Sequence, residues 1–209
     1  LMQSKNIVPD SVFFLDHTIA KLVGTESEIR KKSPAQIGGN KNLISPELIE
    51  NLVEVKQKRS LQFLRRIDNL FILNLPDFME DRDLIELFEM ICRELGRREE
   101  HAVRLLVKSH PRNNNLGVIK PIASSQHIEI LFADALLING LALEIIMESV
   151  GGTLISTDSS SLYYSGIVGK APYIYVGVRR KQYYKLLTLE YGFARDAFKA
   201  FSHEIVEFN

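Results

Sequence analysis

From residue 69 onward, apolar strand-like segments alternate with helical segments, and this alternation constrains the fold more than any other feature of the sequence. Strands are predicted at NLFILNLP, HAVRLLVKS, EILF, GGTLIST and APYIYVGV, and helices at EDRDLIELFEMICREL, GLALEIIMESV and SSSLYYSGIV. Strands joined through helices pair in parallel, because each crossover carries the chain back across the sheet. The sequence therefore predicts an α/β protein with a Rossmann-like parallel sheet.

The two ends of the chain follow a different pattern. SVFFLDHTIAKLV at 11–23 is predicted as a buried strand and a turn, KKSPAQIGGNKN at 31–42 as a linker, and residues 46–66 as a helix that begins after Ser45. The last segment, RKQYYKLLTLEYGFARDAFKAFSHEI, is predicted as a closing helix or pair of helices. We therefore divide the chain into a partial region with a linker helix, 1–68, and a Rossmann-like domain, 69–209.

Charge and cysteine content narrow the functional classes. The chain has 26 Lys and Arg residues and 26 Asp and Glu residues, which disfavours non-specific nucleic-acid binding. Its one cysteine, Cys92, excludes an internal disulfide and is predicted to be a buried, inert thiol in a reducing compartment. With neither a signal peptide nor a membrane-spanning run in sight, we expect a soluble cytoplasmic protein. Peripheral contact of the basic segment 56–66 with an anionic membrane is the alternative.

Two unusual segments follow predicted strands and should meet at the carboxyl edge of the sheet, where such folds bind ligands. In RLLVKSHPRNNN, Pro111 restrains the backbone at His110. In ISTDSSSLYY, hydroxyls gather at the start of a predicted helix, where backbone N–H groups favour a phosphate. Taken singly, His-Pro is more often a structural turn and Ser or Asp an N-cap. Together the two segments predict a phosphate clamp.

These segments resemble motifs of a known group of enzymes. LLVKSHPR and STDSSSLYY are similar to the HP and serine motifs of the bacterial lipooligosaccharide sialyltransferase and polysialyltransferase families. HIEILFADALLING and LFILNLPDFMED extend the resemblance over residues 69–180. The resemblance implies a GT-B fold with two Rossmann-like domains, and transfer of sialic acid from CMP-sialic acid to a glycan acceptor, with inversion and without a metal or cofactor. It makes 1–68 a partial acceptor-side region and 69–209 the nucleotide-sugar-binding half, serving bacterial lipooligosaccharide or capsule synthesis.

The same resemblance assigns roles to individual residues. FFLDHTI places Asp16 at the family's acidic motif, as the general base, although His17 and Thr18 depart from that motif. An ordinary strand-terminal Asp16 is the alternative. His110 is the predicted catalytic partner of the leaving phosphate. The predicted nucleotide-binding residues are Lys108, Pro111, Arg112, Ser159, Ser160 and Ser161. Glu129 and Asn139 are expected near the ribose and base, and Lys108 and Arg112 could equally face solvent.

Other readings of the sequence stay open. A full GT-B enzyme needs two such domains, so we expect a fragment, a reduced family member, or one half of an assembly such as a homo-oligomer or domain-swapped dimer. Another GT-B transferase using CMP-Kdo or a UDP-sugar would fit the same clamp. A non-catalytic nucleotide-binding or scaffold protein is the third reading, favoured by the altered motif at Asp16.

Overall fold

The computed structural model describes residues 53–98, 103–110, 115–124, 126–157, 159, 161–162, 172–183 and 204–208 of the chain. The predicted strand at 11–23 and the predicted linker at 31–42 lie outside these residues, as do Asp16, Pro111, Arg112 and Ser160.

The described residues form an α/β structure around one parallel sheet. Its helices are α1 (Val55–Leu64), α2 (Asp81–Arg98), α3 (Leu116–Ala123) and α4 (Leu143–Val150). Its strands are β1 (Leu70–Asn74), β2 (Arg104–Lys108), β3 (Glu129–Phe132), β4 (Thr153–Ser156), β5 (Tyr173–Val178) and β6 (Glu204–Phe208). All neighbouring strands pair in parallel in the order β3-β2-β1-β4-β5-β6. The predicted Rossmann-like sheet is therefore confirmed.

The strand order creates a crevice beside β1. The chain steps from β1 to β2 and β3 on one side, and then returns to place β4 on the other side of β1. Loops that leave the carboxyl ends of β1 and β4 therefore diverge toward opposite faces of the sheet. Open α/β sheets bind ligands at such a topological switch point.

Each face of the sheet is covered by a separate apolar core. Leu70 and Ile72 of β1 pack into one core with side chains of α1 and α4. Leu73 packs into the other core with side chains of α2 and α3. Because both faces are buried, the central strands are almost continuously apolar, which is why the sequence reveals them so clearly.

The first described helix begins later than the sequence predicts. Glu54 is extended, with ψ 156°, and its N–H donates to Gln57 Oε1 at 2.9 Å, so α1 begins at Val55. A helix running unbroken through 46–66 is therefore wrong at Glu54, although the predicted start lies outside the described residues. Leu61 and Leu64 bury this helix in the core that it shares with α4.

Two elements were not predicted. Helix α3 contains Pro121, which a sequence pattern treats as a helix breaker. Strand β6 replaces the end of the predicted closing helix, which is therefore wrong at residues 204 and 205. Pairing along β5, from Ile174 to Val178, stabilises β6 as a strand, and such tertiary pairing overrides the local preference of a short segment.

Two further observations concern burial and length. Cys92 is buried in α2 at 3% exposure, as predicted. Among the helices that the structure describes, none is long and apolar enough to cross a membrane.

A glycine at the entrance to β4 supports a testable prediction. Gly152 has φ +94°, and a Cβ there would lie 2.6 Å from the carbonyl oxygen of Leu70. We expect Gly152→Ala to lower the free energy of unfolding by at least about 2 kcal/mol, measured by urea denaturation, because it adds a clash to a strained φ. Gly117→Ala in α3, where a Cβ meets open space, is the matched control and should be neutral or slightly stabilising. Equal effects of the two variants would contradict the prediction.

Candidate functional site

A row of buried polar side chains crosses the carboxyl ends of three neighbouring strands. Lys108 of β2 and Ser156 of β4 both lie in register with Asn74 of β1. All three residues are buried, and Asn74 Nδ2 donates to Ser156 Oγ at 3.5 Å. The row lies at the topological switch point, the part of such a sheet beside which ligands bind.

Lys108 lies buried at this edge of the sheet. It is 1% exposed, which rules out the solvent-facing alternative, and its Nζ donates to the carbonyl of Ser109 at 3.2 Å. Burial lowers the pKa of the Lys108 amine, and the charge of Glu144 opposes that effect. Glu144 lies in the first turn of α4, and α4 packs on the face of the sheet that includes Leu106. Lys108 follows Leu106 by two residues in β2 and therefore lies on the same face.

The backbone after β2 is held by the loop after β3. Asn139 Nδ2 donates to Ser109 Oγ at 2.7 Å, and Asn139 Oδ1 accepts from the Ser109 N–H at 3.1 Å. These bonds fix the chain immediately before His110. Asn139 therefore lies at the predicted edge and supports the His-Pro segment.

His110 lies against a carboxylate that sequence reasoning missed. Its Nδ1 is 3.1 Å from Asp77 Oδ2, and the two side chains are 29% and 24% exposed. Asp77 follows β1 by a few residues in LFILNLPDFMED, at the same edge of the sheet. A polar residue just beyond a buried parallel strand was the signal that could have found it.

The serine segment is partly committed to internal bonds. Ser161 Oγ donates to Glu144 at 2.8 Å and is buried, whereas Ser159 Oγ accepts from the Ser161 N–H at 3.3 Å. Ser161 thus fastens the segment to α4, and Ser159 caps the backbone that follows it. Ser160 and Asp158 lie outside the described residues.

The two predicted segments emerge on either side of β1. Neighbouring strands lie about 4.8 Å apart, so the ends of β2 and β4 are separated by roughly 10 Å. The segments that contain His110 and Ser159 therefore leave the same edge of the sheet, on opposite sides of β1.

Glu129 lies away from this crevice. It begins β3, at the amino edge of the sheet, and its Oε2 is 2.6 Å from Arg104 Nε at the start of β2. The expectation that Glu129 lies near the ribose is therefore wrong. A residue at the amino end of a parallel strand lies across the sheet from the ligand edge.

Comparisons of the chain with protein-family models, with curated proteins and with solved structures gave no match. The fold therefore follows from the strand order and pairing, and the function has to be inferred from the site. Within the part of the chain that the structure describes, no group of three or more His, Cys, Asp or Glu side chains is arranged to hold a metal ion.

The start of α2 differs from that of a dinucleotide-binding fold. Such folds place a glycine-rich turn and an uncharged helix N-terminus after the first strand, so that the backbone can bind a pyrophosphate. Here the turn is LPDFMED, and Asp81 and Asp83 occupy the first turn of α2. Both carboxylates stabilise the start of the helix, and Asp83 is already paired with Arg180. The start of α2 therefore lacks the glycine-rich turn that binds a pyrophosphate in dinucleotide-binding folds.

A cluster of polar side chains, of which Asp83 and Tyr183 are buried, ties α2 to the end of β5. We define the Asp83 cluster as Asp83, Arg180, Gln182 and Tyr183. The Asp83 carboxylate accepts from Arg180 Nη1, from Gln182 Nε2 at 2.6 Å and from Tyr183 OH at 2.6 Å. Burial, together with the hydrogen bond to Asp83, raises the pKa of Tyr183. The cluster fixes the start of α2 relative to the end of β5.

Proposed function

We propose that the chain is a sialyltransferase of the GT-B type, which transfers sialic acid from CMP-sialic acid to a glycan acceptor with inversion and without a metal. One observation carries the proposal: His110 and the serine segment follow the two strands that flank β1, at the ligand-binding edge of a Rossmann-like sheet. In this proposal the sheet belongs to the domain that binds the nucleotide sugar.

In the proposed reaction, the acceptor hydroxyl oxygen attacks the anomeric carbon of sialic acid as the bond from that carbon to the phosphate oxygen breaks. The acceptor's proton passes to the Asp16 carboxylate, and CMP is the leaving group. Protonated His110 gives its proton to the departing phosphate oxygen. The hydroxyls of Ser159 and Ser160 stabilise the negative charge that gathers on the phosphate.

The distribution of charge supports this placement of the donor. The buried Lys108 amine belongs to the end of β2, two residues before His110. Asp81 and Asp83 lie at the start of α2, where a dinucleotide fold would instead bind its pyrophosphate. A single phosphate between His110 and Ser159 fits this arrangement better than a dinucleotide does.

Calorimetric titration of CMP, CDP and UDP, without added metal, tests the donor site. We expect selective CMP binding, with a Kd that rises at least about tenfold in His110→Ala, because a charge-assisted hydrogen bond to phosphate is lost. Ser159→Ala should weaken binding by a smaller factor. His127→Ala is the matched control, since His127 is exposed just before β3, at the amino edge of the sheet, and it should bind CMP as the wild type does.

The other outcomes separate the remaining readings. Preferential binding of UDP would favour a transferase that uses a different nucleotide sugar. Selective CMP binding without turnover of CMP-sialic acid would favour a non-catalytic nucleotide-binding protein. A folded sample that binds no nucleotide would overturn the donor site in this chain.

A further inference from the structure

The loop that carries Asp77 is fixed from three directions. Residues 75–80 connect β1 to α2 at the carboxyl edge of the sheet. The anchoring contacts are Leu75 N–H to the Lys108 carbonyl at 2.9 Å, Asn115 Nδ2 to the Pro76 carbonyl at 2.9 Å, and Glu80 N–H to Tyr183 OH at 3.0 Å. The Phe78 ring also packs against Tyr183, with ring centroids 5.6 Å apart. Asp77 is therefore held in place by elements on both sides of the loop.

The contact with His110 defines where a proton must be. An ionised carboxylate has no proton to give, so at 3.1 Å the hydrogen between Asp77 Oδ2 and His110 Nδ1 belongs to the ring. A neutral imidazole carries one N–H, and the hydrogen bond made by one nitrogen decides which nitrogen is protonated. The pair therefore favours the Nδ1–H tautomer of His110.

We propose that Asp77 is the positioning residue of His110, holding the ring as its Nδ1–H tautomer so that Nε2 is the nitrogen that exchanges a proton with a bound phosphate. When the ring is doubly protonated, the same carboxylate stabilises the imidazolium. Nε2 then gives its proton to the leaving phosphate oxygen, and the ring returns to the neutral Nδ1–H form. The catalytic part of this inference rests on the proposed function, whereas the tautomer does not.

The tautomer can be measured directly. The chain contains five histidines, so two-bond ¹⁵N–¹H spectra of protein labelled with ¹⁵N-histidine give one ring pattern for each, and His110→Gln identifies the pattern of His110. At a pH where the ring is neutral, we expect the wild type to show protonated Nδ1. Asp77→Ala should show mainly protonated Nε2, the form that imidazole prefers without an acceptor at Nδ1. A neutral His110 with protonated Nε2 in the wild type, or an unchanged pattern in Asp77→Ala, would overturn the proposal.

Two further variants test whether the change of tautomer is specific to the Asp77 carboxylate. Asp77→Asn preserves the shape of the side chain but replaces the ionised acceptor with an amide that can donate to Nδ1, and it should also reduce the Nδ1–H share if Asp77→Ala fails to fold. Asp81→Ala is the matched control, because Asp81 is an exposed carboxylate in the first turn of α2. It should leave the tautomer unchanged, and a shift there equal to that in Asp77→Ala would count against a specific role for Asp77.

Steady-state kinetics with CMP-sialic acid test the catalytic part. Asp77→Ala should lower kcat about 10- to 100-fold and change KM less than about threefold, as expected for a residue that acts through the group it orients. Asp81→Ala should retain the wild-type kcat. If the tautomer of His110 changes in Asp77→Ala but the wild type does not turn over CMP-sialic acid, the proposed function is wrong and the assignment of Asp77 stands. Full kcat in an Asp77→Ala variant whose tautomer has changed would overturn the catalytic part alone.

Discussion

Replacing Asp83 with alanine is expected to lower the free energy of unfolding by about 3 kcal/mol, which is a large share of the stability of a typical domain. Asp83 is 6% exposed and accepts hydrogen bonds from Arg180, Gln182 and Tyr183. The alanine variant removes all three bonds, and the buried Tyr183 hydroxyl loses the carboxylate to which it donates. Urea denaturation followed by circular dichroism measures the loss.

Two neighbouring changes show whether the loss belongs to the Asp83 cluster. Asp83→Asn keeps an acceptor without its charge and should lose less stability than Asp83→Ala. Asp81→Ala removes an exposed carboxylate from the same helical turn and should cost less than about 1 kcal/mol. If Asp81→Ala and Asp83→Ala destabilise the protein equally, the cluster contributes little beyond an ordinary helix-end charge.

Cys92 is expected to react about 1,000-fold more slowly with a thiol reagent at pH 8 in the folded protein than in urea. Burial raises the pKa of this thiol from 9.0 to about 12, which lowers the thiolate fraction by about that factor before access is considered. Because the chain has one cysteine, labelling followed by mass spectrometry reports on this residue alone. Cys92→Ser, which has no thiol, is the control for labelling at other residues.

The same pKa shift sets a pH dependence of stability. Between pH 9.0 and about 12 the folded protein retains the Cys92 proton and the unfolded chain loses it. The unfolded chain thus binds fewer protons, so the free energy of unfolding falls as the pH rises through this window. Cys92→Ser should show a shallower fall. Native labelling as fast as labelling in urea would show that Cys92 is not protected in the folded protein.

The sequence predicted the elements whose pattern does not depend on distant partners. Strands such as β1 and β2 are buried on both faces, and their apolar runs are visible without knowledge of the neighbours. Strand β6 was missed because its conformation depends on pairing with β5, and the short helix α3, which contains Pro121, was not predicted either. Local patterns cannot include a stabilisation that arises only after the sheet has assembled.

For the candidate site, the sequence predicted the edge of the sheet but not the contacts between side chains. The alternation of strands and helices in the sequence predicts parallel pairing, and parallel pairing determines the edge on which His110 and Ser159 lie. The contact between His110 and Asp77 depends on the path of the β1–α2 loop, and the bond from Ser161 to Glu144 depends on the position of α4. Burial of Lys108 likewise depends on the packing of α4 over β2. These features require three-dimensional neighbours that no spacing of residues specifies.

The pairing of β1 with β4 also determines when the crevice can exist during biosynthesis. Asn74 and Ser156, which meet across that pairing, are 82 residues apart, an interval that a ribosome covers in about 4 to 16 s. During that interval β2 and then β3 are synthesised and can pair beside β1, but the other edge of β1 lacks its neighbour and exposes unpaired backbone groups that attract other chains. The ligand crevice therefore forms only when β4 joins the sheet, and the same pairing closes the open edge of β1.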